Sequence, residues 1–326
     1  MPCYWEARDL WLQGLCLLLS AWQVFTVFLA CAIAANASVG QNAPAARKNR
    51  VKILISGASG FIGSSLLAYC GKQGDQPVAL HDAPDLEGWD AFVHLAGEPL
   101  SLGRWSLAKQ KKIKESRVEA TAKLCDRLLH LKRPPKVFLS ASAIGYYGDR
   151  GDDLLSEEES PGAGFLAQVC VGWERASEIL KQRDIRVIHA RFGIVLGSHG
   201  GIFKKLALLY RCCLGAKFGS GSQWVSWIAL SDLIRAIHHA MRSEMQGAIN
   251  MASPCPVRQK EFAQRMAHHF RRPLLFAIPA WALKTALGFP AYEPVLFSQR
   301  ADVHKLCASG FHHQYPTLQE CLASID

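Results

Sequence analysis

A strand-like run that leads straight into three glycines spaced three apart constrains this chain more than any other feature. Val51-Lys52-Ile53-Leu54-Ile55 is short and rich in branched residues, as a strand buried on both faces should be. Gly57-Ala58-Ser59-Gly60-Phe61-Ile62-Gly63 follows, and Ser64 to Lys72 then reads as a helix, with no proline in either element. Each glycine has its own task in that context: a tight turn at Gly57, close backbone approach to a pyrophosphate at Gly60, and close helix-to-strand packing at Gly63. The anion would meet unpaired N–H groups at the positive end of the helix dipole. The pattern predicts that Gly57, Ser59, Gly60, Phe61, Ile62 and Gly63 hold the pyrophosphate of NAD or NADP, the alternative being a glycine turn with a structural role only.

The segments that follow keep the same rhythm. Pro77–Leu80, Ala91–Leu95, Lys136–Ser140 and Ile185–Ala190 read as strands, separated by helical stretches that include a long basic one from Leu107 to His130. Strands alternating with helices imply an α/β fold, a Rossmann-type doubly wound parallel sheet with right-handed crossovers. After Gly197 the pattern loosens, with helices over 230–241 and 259–270. Residues 51–326 are expected to form one dinucleotide-binding domain with a smaller substrate lobe, mainly 198–326.

The first fifty residues differ in kind. No charged side chain lies between Asp9 and Arg47, and residues 10–35 are almost continuously apolar, enough to cross a bilayer as a helix. Three readings stay open. An anchor would leave the following domain on the cytoplasmic face, because Arg47, Lys48 and Arg50 flank it. A signal peptide has a small-residue site at Ala35-Asn36-Ala37, but Glu6 and Asp9 spoil its positive start. A start at Val51 would leave the segment untranslated.

The net charge of +10 suits an anionic partner such as a dinucleotide. Nucleic acid is not expected, since no basic run is interleaved with stacking aromatics. Eleven scattered cysteines with no CxxC, and histidines that occur as adjacent pairs, argue for reduced thiols in a cytoplasmic setting and against a metal site. Asp82 stands about twenty residues past the glycine turn, where an acid would bind ribose hydroxyls and repel a 2′-phosphate. Asp85 and Asp90 share its polar loop, so a solvated acid is the competing reading and both NAD and NADP remain open.

Beyond these local readings, Val51 onward resembles the atypical extended short-chain dehydrogenase/reductases of the "epimerase family" subgroup, similar to sugar nucleotide epimerases. GASGFIG, Leu95-Ala96-Gly97-Glu98-Pro99-Leu100, SASAIGYYGDRGD from Ser140, Ala190–Gly197 and GSGSQWVSWI from Gly219 carry the resemblance collinearly. It implies a dinucleotide-binding half in which Leu95, Ala96 and Gly97 line the adenosine side, and it puts Ser142 at the family's catalytic Ser or Thr. The chain departs from the family where chemistry is done. The Tyr-x-x-x-Lys pair, in which lysine tunes tyrosine as acid or base, falls at Leu166 and Cys170. Tyr146 and Tyr147 are the nearby substitutes, with aromatic packing as their alternative. The loop from His81 to Gly88 is short, without the subgroup's further strand and basic handle, and Ala229 replaces a usual His.

Among the remaining features, Arg104, Lys109, Lys111, Lys112, Lys114 and Arg117 read as a solvated helix face, with contact to anionic lipid as the sharper alternative. Arg191 and Arg258 can grip an anionic substrate group with a bidentate fork, and Trp224 can line its pocket. The expectation is an NAD(P)-binding epimerase or reductase acting on a carbonyl, alcohol or nucleotide-linked small molecule. The alternative is a dinucleotide-binding or redox-sensing protein without turnover.

Overall fold

The computed structural model describes residues 50–100 and 103–325. The apolar segment 10–35, and the membrane association expected of it, lie outside them. Among the described residues no helix is long and apolar enough to cross a membrane.

Six strands form one parallel sheet: β1 (Lys52–Ser56), β2 (Gln76–Ala79), β3 (Ala91–His94), β4 (Val137–Ala143), β5 (Arg186–Phe192) and β6 (Gly247–Met251), in the order β6-β5-β4-β3-β1-β2. The register aligns Leu54 with Phe92, Phe92 with Phe138, and Phe138 with Val187. That row packs on Leu124, Cys125 and Leu128 of the helix Ala120–Leu129. One residue along, Ile55, Val93, Leu139 and Ile188 form a second row, in a cluster with Leu66 of the helix Phe61–Lys72 and Ile234 and Ile237 of the helix Leu230–Arg242. The period of two places successive side chains on opposite faces, so a branched or aromatic residue is needed at nearly every position. Each buried side chain of this size contributes about 1.5–3 kcal/mol relative to exposure. The α/β Rossmann-type architecture expected from the sequence is therefore the one observed.

In chain order the helices are α1 (Phe61–Lys72), α2 (Leu107–Lys114), α3 (Ala120–Leu129), α4 (Phe165–Glu178), α5 (Gly201–Arg211), α6 (Leu230–Arg242) and α7 (Gln259–His269), followed by shorter ones. The long basic helix expected over 107–130 is not uniform, because a π-helical segment, Glu115–Glu119, joins α2 to α3. The helix after the glycine turn starts at Phe61, three residues earlier than its periodicity suggests, because Gly60 takes the extended N-cap conformation.

One point corrects the sequence expectation for the C-terminal part. β6 pairs in parallel with β5 and α6 packs on the sheet, so residues 230–251 belong to the Rossmann layers and not to a separate lobe. Around them lie two-stranded pairs, such as Trp224–Val225 with Val257–Arg258 and Ala216–Phe218 with Phe276–Ile278. At the other sheet edge no strand follows β2 before β3, and the short loop is tied down by Glu87, whose carboxylate accepts the backbone N–H groups of Lys132 and Arg133 at 2.9 and 2.8 Å.

Candidate functional site

From β1 the chain goes to β2 on one side and then crosses back to β3 on the other. The crevice above β1 and β3 is thus the topological switch point, where α/β sheets bind ligands. The glycine turn stands there. Gly57 has φ +72°, and a Cβ on it would lie 2.8 Å from the backbone of Leu95 and Ala96. A Cβ on Gly63 would come within 2.1 Å of the Gly57 carbonyl oxygen, so α1 can approach the turn only with glycine at that position. Gly60 N–H donates to Gly57 O at 3.0 Å and closes the turn. Ser59 and Gly60 are exposed, and the first turn of α1 has neither a side-chain cap nor an acidic residue. Those orphan N–H groups and the helix dipole fit a pyrophosphate. Phe61 is half-buried, with its ring filling the space left by Gly200 and Gly201 and meeting His199 edge-on. Ile62 packs against the core.

Leu95 and Ala96 pass directly over Gly57, so the two turns expected to hold the cofactor do meet. Beneath them His94 is buried, its Nδ1 hydrogen-bonded with Ser56 Oγ at 2.6 Å and its Nε2 with Thr121 Oγ1 at 2.9 Å. Burial pushes its pKa down to about 4, so the ring is a neutral brace between β1, β3 and α3. Asp82 is the exception among the cofactor candidates. Its side chain is two-thirds exposed and its carboxylate stands 3.5 Å from His81 Nε2, so it has the surroundings of a solvated loop acid.

Ser142, Tyr147 and Arg191 come together, but not as a reactive surface. Ser142 Oγ donates to Glu174 Oε1 at 2.6 Å. Arg191 donates from Nε and Nη2 to the two Glu174 oxygens, and from Nη1 to Tyr147 Oη at 2.9 Å. Tyr147 Oη donates to Asn250 Oδ1 at 2.8 Å, and Asn250 Nδ2 donates to the carbonyls of Leu155 and Asp302. All five residues are buried, Tyr147 completely. Burial raises the Tyr147 hydroxyl to about 12, outweighing the opposing pull of Arg191. Ser142, Tyr147 and Arg191, which the sequence reading offers to the substrate, are instead committed to a closed polar network that ties β4, β5, β6 and α4 together. Tyr146 differs. It is half-buried, its hydroxyl has no hydrogen-bond partner among the described residues, and the Arg191 guanidinium lies 3.5 Å from its ring centroid.

Glu174 and Asn250 were not singled out from the sequence. The signal for Glu174 was present: it lies on the same stripe of α4 as Cys170, Trp173 and Ser177, where an acid must find a partner. Nothing local marks Asn250. Leu166 is half-buried and Cys170 buried, so neither position presents a proton-transfer group.

A second polar cluster surrounds Trp224, whose indole ring is contacted by the guanidinium groups of Arg258 (3.9 Å) and Arg300 (4.6 Å). Trp224 Nε1 donates to Asp152 Oδ1 at 3.1 Å, and Arg258 also donates to that carboxylate and holds its pKa low. Trp224 and Arg258 are therefore together, with Arg258 half spent on Asp152. Beside them is a cavity of about 380 Å³ lined by Asp149, Asp152, Ser220, Ser222, Lys284 and Tyr292. A neighbouring hollow of about 640 Å³ includes Arg258 and Lys260. Cys70, Asp75 and His238 bring donor atoms within 4.8 Å of one another, but His238 Nε2 and Arg242 both donate to Asp75, and Arg242 already supplies the positive charge a cation would bring.

Comparison with known proteins agrees with this geometry. Residues 53–252 match the NAD dependent epimerase/dehydratase family, and residues 278–325 match a domain of unknown function, DUF1731. An epimerase family protein of Mycobacterium bovis is 34% identical over 291 residues, covering 83% of this chain and 96% of its own. A chloroplastic epimerase family protein of Arabidopsis thaliana is 31% identical over 307 residues, covering 86% and 88%. The structure of human epimerase family protein SDR39U1 with NADPH superposes with a TM-score of 0.78 at 27% identity, covering 84% of this chain and 98% of that one. The chain belongs to the NAD dependent epimerase/dehydratase family, as an atypical extended short-chain dehydrogenase/reductase. It is an NAD(P)-binding, epimerase-like protein, and its glycine turn fits the nicotinamide dinucleotide.

Proposed function

We propose that this chain is an NAD(P)-dependent oxidoreductase or epimerase acting on the carbonyl or alcohol of a polar small molecule, sugar-like or nucleotide-linked, with Tyr146 as the proton donor. Tyr146 carries the reading. Among the two tyrosines beside Ser142 it alone keeps a free hydroxyl, and it sits past the C-terminal end of β4, as ligand-binding groups of such sheets do. Arg191 sets a fixed positive charge against its ring. Ser142 acts by fixing Glu174 and the end of β4, and so positions the turn that carries Tyr146. A nicotinamide bound along the crevice would supply the hydride chemistry. The substrate side is built mainly from residues after 198, and the carboxylates, hydroxyls and lysine of the cavity beside Trp224 offer hydrogen bonds to a polyol better than to an apolar ligand.

The test is stereospecific transfer of deuterium from C4-labelled NADPH or NADH into small ketones and keto-sugar nucleotides, and from carbon-deuterated nucleotide sugars to NADP+ or NAD+. Tyr146→Phe should lower turnover by about 10²-fold or more while leaving dinucleotide affinity unchanged. Full activity in that variant would remove Tyr146 from the chemistry. A second reading, a dinucleotide-binding protein without turnover, is favoured by Leu166 and the buried Cys170 at the Tyr-x-x-x-Lys positions. Tight binding with no exchange on any substrate would support it.

A further inference from the structure

We infer that Arg117 is a cofactor-binding residue that grips the nicotinamide-side phosphate of the dinucleotide, an inference that rests on the glycine turn being the pyrophosphate site. Lys111, Lys112 and Lys114 on the preceding turns are exposed, as a solvated face requires, but Arg117 turns inward. It lies within the π-helical segment Glu115–Glu119, and such segments are frequent at functional sites. Its guanidinium lies 5.2 Å from the centroid of the Trp173 ring, and a Cβ on Gly97 would stand 3.4 Å from its Cζ. Gly97 thus leaves the cation open toward the Leu95–Gly97 turn, at the switch point of the sheet.

The guanidinium is not satisfied by protein. Nη1 donates to the carbonyls of Glu98 (3.0 Å) and Ile113 (3.4 Å), while Nε and Nη2 have no hydrogen-bond partner among the described residues. The nearby carboxylate, Glu98, is engaged by Lys109 at 2.6 Å. Burial pushes the Arg117 pKa down, and the charge of Glu98 only partly opposes it. A part-buried guanidinium with free donors and no carboxylate is matched by a phosphate, which accepts two parallel N–H bonds. The pyrophosphate at the neighbouring glycine turn provides one.

The test compares Arg117→Gln and Arg117→Lys with the wild-type chain by titration with NADPH, NADH and adenosine 5′-monophosphate, which carries the adenosine-side phosphate alone. Arg117→Gln should weaken both dinucleotides by about tenfold or more and leave the mononucleotide unchanged, with Arg117→Lys in between. Undiminished dinucleotide affinity in Arg117→Gln would overturn the inference. An equal loss for the mononucleotide would do the same, since it would mean a role in shaping the turn. Failure of the wild-type chain to bind either dinucleotide would instead remove the underlying reading of the glycine turn.

Discussion

Arg191 lays its guanidinium along the Glu174 carboxylate through two bonds of 2.8 Å, Nε to Oε1 and Nη2 to Oε2, both side chains nearly excluded from solvent. This bidentate pair joins β5 to α4 directly beneath the turn that carries Tyr146. Its strength lies in the bonds that satisfy the remaining groups, Ser142 on the acid and Tyr147 on the base.

Removing one partner strands the other. Glu174→Ala should destabilise the protein by about 3–5 kcal/mol in urea or thermal unfolding, because Arg191 then keeps a buried, uncompensated charge. Glu174→Leu combined with Arg191→Met should cost less than the sum of the single changes. Strict additivity would mean that the pair is not coupled as its geometry requires.

The two adjacent tyrosines should separate cleanly. Tyr147→Phe leaves Asn250 Oδ1 without its donor and should cost about 1–3 kcal/mol of stability, with dinucleotide affinity unaltered. Tyr146→Phe removes a hydroxyl with no protein partner and should leave the melting temperature almost unchanged, its effect appearing in turnover.

At the glycine turn, Gly57→Ala imposes a left-handed backbone on an L-residue, at about 1–2 kcal/mol, and drives a methyl to 2.8 Å from Leu95 and Ala96. NADPH affinity should fall by at least about tenfold, seen as loss of the fluorescence change on titration. Circular dichroism should still report a folded α/β protein.

His94 sets a pH dependence. Its folded pKa of about 4 lies below the value near 6.5 of an unfolded chain, so the unfolded state takes up the proton first as pH falls. Its contribution to stability is complete above about pH 6.5, declines as pH drops toward about 4, and is lost below that. His94→Gln should flatten that part of the stability–pH curve measured by chemical denaturation. An unchanged curve would show that His94 is not the group titrating.

What could be read from the residues in order was whatever depends on neighbours in the chain. A buried strand, a glycine turn and a helix start within a dozen residues declare both the Rossmann layers and the pyrophosphate cradle, since steric limits on φ and the helix dipole are local. Asp82 was legible in position only; its exposure depends on a loop that Glu87 ties back to residues 132 and 133. Tertiary structure alone decided which polar groups face a ligand. Ser142, Glu174, Arg191, Tyr147 and Asn250 come from separate elements and satisfy one another, which withdraws three candidate site residues into the core. A helical period of 3.6 put Arg117 among solvated lysines, whereas the fold packs it against Trp173 and beside Gly97. Burial and pairing are set by contacts between distant segments, and those assign each side chain to the site or to the frame that holds it.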